Sequence, residues 1–306
     1  MMSINSDIIK KRILITGANG VLGSNLAVFY SEQENIELCL TARTKGSNSN
    51  DKQIIICDIT NREQVKKIIL DFYPDFVINA AAFTNVDLCE TEKEISWKVN
   101  VKTVEYIAEA CRAVDAHLIH ISSDYVFDGK QGPYNEVDKT NPVSYYGRTK
   151  LASENALKIS GINYSIIRTN VLYGAIEKGK ADFVYWVIQS LENGKDVNIV
   201  TDQFNNPTFV EDLVHGINKL IEFKRSGIFH IGGRDFLTRF EFTNLIAEHF
   251  DLNKNLIHPI LTKELNQAAI RPLKSGLVTL KAETQINYKP HTIIESFEKI
   301  KSKIIL

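Results

Sequence analysis

The sequence predicts an α/β fold: a Rossmann-type, doubly wound parallel sheet followed by a smaller α/β substrate-binding lobe. Three observations predict it. Short β-rich runs alternate with helical stretches through the first half of the chain. Those runs are apolar throughout rather than at every second residue, which points to strands buried on both faces by helices. A glycine-rich turn joins the first run to the first helix.

Taken in order, Arg12–Thr16 is a compact apolar run that stops at Gly17, and Val21–Tyr30 reads as a helix. Ile36–Thr41 and Gln53–Cys57 read as the second and third strands. Between them, the Ser-, Asn- and Lys-rich segment Lys45–Lys52 reads as a mobile surface loop. Asn61 is placed to cap a helix whose apolar face holds Val65, Ile68, Ile69 and Phe72. Phe76–Asn79 is a fourth strand, Ile95–Val114 a long helix, Leu118–Ser122 a fifth strand, Ser144–Leu157 a helix and Tyr164–Arg168 a sixth strand. After Tyr173 the rhythm changes. Gly174–Lys180 is loop-like, and helices are expected near Asp182–Glu192, Glu211–Phe223, Arg239–Phe250 and Thr292–Lys303. Short strands are expected near Val197–Val200 and Ile228–Ile231. The domain boundary therefore falls at 173/174, giving a dinucleotide-binding domain over 1–173 and a second lobe over 174–306 that could return segments to the first.

The bulk properties narrow the function classes. Of 306 residues 44% are hydrophobic and 24% charged, which is ordinary for a soluble globular chain. A formal net charge of -1 gives no electrostatic reason to expect nucleic acid or an acidic membrane surface. No signal peptide is read at the amino terminus, and no stretch reaches the roughly 18 uninterrupted apolar residues that a membrane span needs. Cys39, Cys57, Cys89 and Cys111 lack metal-type spacing, so a reducing cytoplasm fits best.

Gly17-Ala18-Asn19-Gly20-Val21-Leu22-Gly23 follows a strand and opens a helix. Glycines in that context let the chain turn tightly and bring backbone amides to a pyrophosphate at the helix amino terminus. The spacing is G-x-x-G-x-x-G, which resembles the variant of the dinucleotide fingerprint found in short-chain dehydrogenases. An acidic residue ~20 positions further on would bind the ribose hydroxyls of NAD. Here the segment is Thr41-Ala42-Arg43-Thr44-Lys45, with no carboxylate, and Arg43 offers a planar fork to a 2′-phosphate. NADPH is therefore expected, with NADH possible. Asp58, with Ile59 beside it, follows the third strand and either accepts from the adenine amino group or merely turns the chain before Asn61.

Ser123 leaves the carboxyl end of the fifth strand, the edge that faces the ligand crevice in open parallel sheets. Tyr146 and Lys150 lie four residues apart, on one face if the segment is helical. A phenol titrates near pH 10 and needs a neighbouring ammonium and the cofactor's positive ring to lower that value. Tyr146 could then donate its proton to a carbonyl oxygen as hydride reaches the carbon, with Ser123 hydrogen-bonded to the same oxygen. The alternative register uses Tyr145, whose partner would be the uncharged Thr149.

On these residues the chain resembles the extended short-chain dehydrogenases and, within them, the dTDP-4-dehydrorhamnose reductase group. The resemblance runs through Gly17–Gly23, 79–87, Val99-Asn100, Ser122–Gly129, Tyr146–Lys150, Arg168-Thr169, Tyr173-Gly174, 202–208 and Arg271–Ser275. It implies reduction of the 4-keto group of a nucleotide-linked 6-deoxysugar by NAD(P)H, by a monomer or homodimer. It assigns Ser123, Tyr146 and Lys150 to catalysis, and Ala80, Ala81, Ala82 and Asn100 to the cofactor side. Asp124 and Tyr125 would line the sugar pocket, with Val86, Asn206, Pro207, Thr208 and Arg271 as further substrate contacts. Two departures stand out. Arg168-Thr169 continues as Asn170-Val171-Leu172 where the group carries a tryptophan, which leaves the sugar open. Some members dimerise through glutamates holding magnesium, but Asn25 stands at the apparent position, so no metal is implied.

Three rivals follow from the same resemblance. A nucleotide-sugar dehydratase would place Asp-Glu where Asp124-Tyr125 stands. A nucleotide-sugar epimerase would retain NAD, which Arg43 and the Ser-Asp-Tyr sequence disfavour. A non-catalytic, NADP-binding regulatory subunit resembling the methionine adenosyltransferase beta subunit could keep all three catalytic residues as relics.

Overall fold

The computed structural model describes residues 10–45, 54–174 and 182–304. Residues 46–52 of the expected surface loop, Gln53, and 175–180 of the expected Gly174–Lys180 loop lie outside the described residues.

Six strands of the main sheet come from residues 11–169: β1 (Lys11–Thr16), β2 (Ile36–Ala42), β3 (Ile54–Ile56), β4 (Phe76–Asn79), β5 (His117–Ser123) and β6 (Tyr164–Thr169). The later chain adds β7 (Leu172–Tyr173), β8 (Val197–Val200), β9 (Phe204–Asn205), β10 (Thr208–Phe209), β11 (Gly227–His230), β12 (Leu237–Thr238) and β13 (Ile257–Ile260). The seven-stranded sheet runs β11-β6-β5-β4-β1-β2-β3, and all its pairs are parallel. The order reverses at β1, so the crevice at the carboxyl ends of β1 and β4 is the topological switch point where ligands bind.

Helices cover both faces: α1 (Val21–Ser31), α2 (Arg62–Phe72), α3 (Val86–Thr91), α4 (Lys93–Trp97), α5 (Thr103–Val114) and α6 (Tyr145–Lys158). Alternation along β1 sorts its side chains. Ile13 and Ile15 join the core with Leu22 and Leu26 of α1, whereas Leu14 joins Val65, Ile69 and Ile107 of α2 and α5 on the other face. Local chemistry sets the helix ends. Asn61 accepts from the backbone N–H of Glu63 at 3.1 Å and Gln64 at 3.2 Å, as its position predicts. α2 then stops at Tyr73, whose φ of 51° is left-handed.

α7 (Phe183–Glu192), α8 (Val210–Glu222), α9 (Arg239–His249), α10 (Leu280–Ile286) and α11 (Ile293–Ile304) complete the chain. Two of these belong to the first core: α8 contributes Val210, Leu213, Val214 and Ile217, and α10 contributes Ala282 and Ile286. The smaller lobe gathers Val187, Leu191, Phe242, Ile246 and Phe297 around the parallel pair β8–β13.

The structure departs from expectation in two places. The long helix over 95–114 is two helices joined by a π-helical turn at Lys98–Lys102. Such wide turns recur at functional sites, and this one carries Asn100. The third strand is apolar but not buried on both faces: it is the sheet edge, and Ile55 and Ile56 are 48% and 47% exposed. α3, α10, β13 and the two-residue strands are additional elements whose short runs carry little periodicity. No helix among the described residues is long and apolar enough to cross a membrane.

Candidate active site

The glycine turn is built for a close approach. Gly17 has φ +72°, and a Cβ there would sit 2.8 Å from the backbone of Ala81; one on Gly23 would sit 2.1 Å from the Gly17 carbonyl oxygen. α1 then begins at Val21, with Gly20 as a cap residue that offers no side-chain bond and with no acidic residue in the first turn. Its first-turn N–H groups have no side-chain cap, and they carry the positive end of the helix dipole, a combination suited to an anion. Val21 and Leu22 lie in that first turn, and the Asn19 side chain donates to the Thr44 carbonyl at 2.7 Å, tying the turn to the end of β2.

Beyond β2, Arg43 is exposed within electrostatic reach of Asp58. Asp58 accepts from the backbone and hydroxyl of Thr60 at 2.9 and 2.8 Å. Desolvation opposes ionisation there, but the Thr60 bonds and the charges of Lys98 and Arg43 leave the carboxyl below its ordinary value. Ile59 accepts at its carbonyl from the Thr103 hydroxyl at 3.1 Å. Ala80, Ala81 and Ala82 follow β4 and are half-buried. Their small side chains leave room above the sheet, and Asn100 fixes the loop: it accepts from Phe83 N–H at 2.7 Å and donates to the Phe83 carbonyl at 3.1 Å and the Thr149 hydroxyl at 3.0 Å. Asn100 thus joins the alanine loop to α6.

Ser123 ends β5, and α6 begins at Tyr145 with Ser144 as its cap. The Ser144 hydroxyl accepts from Gly147 N–H at 3.2 Å. Gly147 lets α6 press against the segment after β5, since a Cβ there would lie 2.2 Å from the Tyr125 carbonyl oxygen. The result brings Ser123, Tyr125, Tyr146 and Lys150 together. Tyr146 is buried, shares a hydrogen bond with Ser123, and meets the Tyr125 ring edge-on at 5.5 Å. Tyr145 points elsewhere, toward Lys93, whose ammonium lies 5.5 Å from its ring centroid.

The charges here run against the simplest expectation. Burial, with help from the Asp124 charge, raises the Tyr146 phenol above its ordinary value despite the Ser123 bond. Burial also lowers the Lys150 ammonium to about 8, while Glu154 pulls the other way. Lys150 Nζ donates to the Ile121 carbonyl at 2.5 Å. Asp124 accepts from the hydroxyls of Ser123 at 2.9 Å and Ser275 at 2.5 Å, yet burial raises its carboxyl to about 6. In this state the phenol is a firmly held acid.

The remaining residues are placed unevenly. Arg271 reaches the same region, donating to both carboxylate oxygens of Asp87 at 2.6 Å beside Val86, which opens α3. Asn206, Pro207 and Thr208 are buried, and their polar groups are already engaged: Asn206 Oδ1 accepts from Leu277 N–H at 2.8 Å, and the Thr208 hydroxyl accepts from Gly233 N–H at 3.2 Å. Ser275 and Asn170 support Asp124, and Asp87 supports Arg271, from far away in sequence, so no local spacing marks them.

The family model described as the RmlD substrate binding domain matches residues 11–304. The chain belongs to this family. It is 32% identical over 291 residues to a dTDP-4-dehydrorhamnose reductase of Aggregatibacter actinomycetemcomitans, covering 91% of this chain and 94% of that one. The crystal structure of the Bacillus anthracis dTDP-4-dehydrorhamnose reductase in complex with NADP superposes with a TM-score of 0.82 at 31% identity, covering 96% of this chain and 99% of that one. The Bos taurus methionine adenosyltransferase 2 subunit beta is also similar, 31% identical over 280 residues, covering 90% of this chain and 82% of that protein. The RmlD-type fold thus agrees with the doubly wound sheet expected from the sequence.

Proposed function

We propose that this chain reduces the 4-keto group of a nucleotide-linked 6-deoxysugar with NADPH, and that Tyr146 is the proton donor. The observation that carries the reading is the buried cluster of Ser123, Tyr146 and Lys150 at the carboxyl end of β5, in a sheet whose first strand leads into an uncapped, glycine-lined helix terminus. NADPH, when bound, supplies the hydride. The chain's own residues do the rest. Tyr146, kept protonated by burial, gives its proton to the carbonyl oxygen, so that the keto group becomes a secondary alcohol. Ser123 turns its hydroxyl from Asp124 onto the same oxygen and holds it in line. Lys150, anchored on Ile121, keeps two N–H donors for the ribose hydroxyls and places positive charge behind the phenolate as it forms. The Gly17–Gly23 turn and α1 receive the pyrophosphate, and Arg43, with no carboxylate nearby on β2, favours the 2′-phosphate of NADPH over NADH.

Tyr125 stands where a dehydratase needs a second carboxylate, which argues against elimination. The methionine adenosyltransferase subunit is no more similar than the reductase, at 31% against 32% identity, and turnover of a keto-sugar nucleotide separates the two readings. Four buried, unpaired cysteines suit a reducing cytoplasm. The test is NADPH oxidation against a panel of nucleotide-linked 4-keto-6-deoxysugars. At least one sugar should be reduced, and Tyr146→Phe should lose roughly 100-fold or more in turnover while retaining NADPH binding. Near-normal turnover in that variant would remove Tyr146 from its role.

A further inference from the structure

Arg239 is the first residue of α9, and its guanidinium is within electrostatic reach of Tyr125, Arg271 and Asp124. Its flat face rests 5.0 Å from the Phe183 ring centroid. Among the described residues no carboxylate pairs with it, and no hydrogen bond from its guanidinium is found. The neighbouring Arg271 is different. Its two terminal nitrogens are spent on Asp87, and one of them also donates to the Ala269 carbonyl at 2.7 Å. Asp124 is buried and already accepts from Ser123 and Ser275, and it makes no hydrogen bond or ion pair with Arg239.

Keeping Arg239 there costs stability. A cation in the first turn of a helix opposes the helix dipole. Half-burial adds desolvation, which lowers the guanidinium from its ordinary value. A side chain that costs stability and makes no internal bond is where local rules yield to ligand binding. The guanidinium's fork matches phosphate oxygens in pairs.

We propose that Arg239 receives the diphosphate of the nucleotide sugar, while Arg271 and Asp87 form a strap that fixes the pocket wall. This rests on the nucleotide-sugar reading above. Arg239 is then the residue that makes the pocket prefer a nucleoside diphosphate to an uncharged sugar.

The test is calorimetric titration of dTDP and UDP into the NADP-saturated protein, for the wild type, Arg239→Gln and Arg239→Lys. The wild type should bind a nucleoside diphosphate with an affinity that falls as salt rises. Arg239→Gln should weaken it by about tenfold or more and flatten the salt dependence, and Arg239→Lys should recover part of the loss. NADP affinity should stay unchanged and Tm should hold or rise, because a helix-terminal cation has been removed. Diphosphate affinity within about twofold of wild type in Arg239→Gln would overturn the inference while leaving the reductase reading intact. Parallel losses of NADP affinity and Tm would overturn it too, by showing a structural role. If the wild type bound neither nucleotide, the nucleotide-sugar reading and this inference would fall together.

Discussion

Asp124 sits next to Ser123 in the chain and under Tyr146 in space, and its protonation is set by burial rather than by its two hydroxyl partners. Its folded value of about 6 lies above the ordinary 3.8, so the folded protein binds the extra proton between those values. Stability from this group is present at low pH and is lost as pH rises through about 6, to a limit of about 3 kcal/mol. Asp124→Asn removes the charge but can still bond both serines, because a hydroxyl both donates and accepts. That variant should raise Tm at pH 8 and lose its advantage toward pH 4; equal melting at both values would show that the carboxylate is not penalised. Of the site, Ser123, Tyr146 and Lys150 were legible in the sequence because a strand end and a helical spacing mark them. Asp87 and Ser275 were not, since a bond such as Ser275–Asp124 spans 151 residues and leaves no local pattern.

α6 presents Tyr146 and Lys150, and one turn further on it is locked to the sheet through Glu154. That carboxylate is fully buried and accepts from Arg168 Nε at 2.9 Å, Arg168 Nη2 at 2.7 Å and the Ser122 hydroxyl at 2.6 Å. The pair joins α6 to β5 and β6, the strands that carry Ser123 and Thr169. Breaking a buried pair leaves an uncompensated charge, so Glu154→Gln should cost about 3–5 kcal/mol, read as a lower denaturation midpoint in urea. A loss below about 1 kcal/mol would mean that the ion pair contributes little beyond packing. Element identity was largely readable because buried parallel strands and capped helices have strong signatures. The π-helical turn was not, since one wide turn barely disturbs the periodicity of a helix and is set by the tertiary contacts of Asn100.

The whole molecule is more interleaved than a division at 173/174 implies. β11 pairs with β6 in the main sheet, and Leu213, Ile217, Phe229 and Ile231 complete the core around Ile13, Ile15 and Leu26. Strand Ile228–Ile231 was visible in the sequence as an apolar run, but its membership in the first sheet depends on a long-range pairing that no local pattern encodes. A fragment of residues 1–173 should therefore fail to unfold cooperatively on heating, by circular dichroism; a sharp transition would show that the first six strands suffice. Across both lobes the residues converge on one reaction, and isotope transfer tests it most directly. With NADPH deuterated at the transferable position of its nicotinamide and a nucleotide-linked 4-keto-6-deoxysugar, the product alcohol should carry deuterium at carbon 4. Product without deuterium, or no product beside intact NADPH binding, would contradict the account.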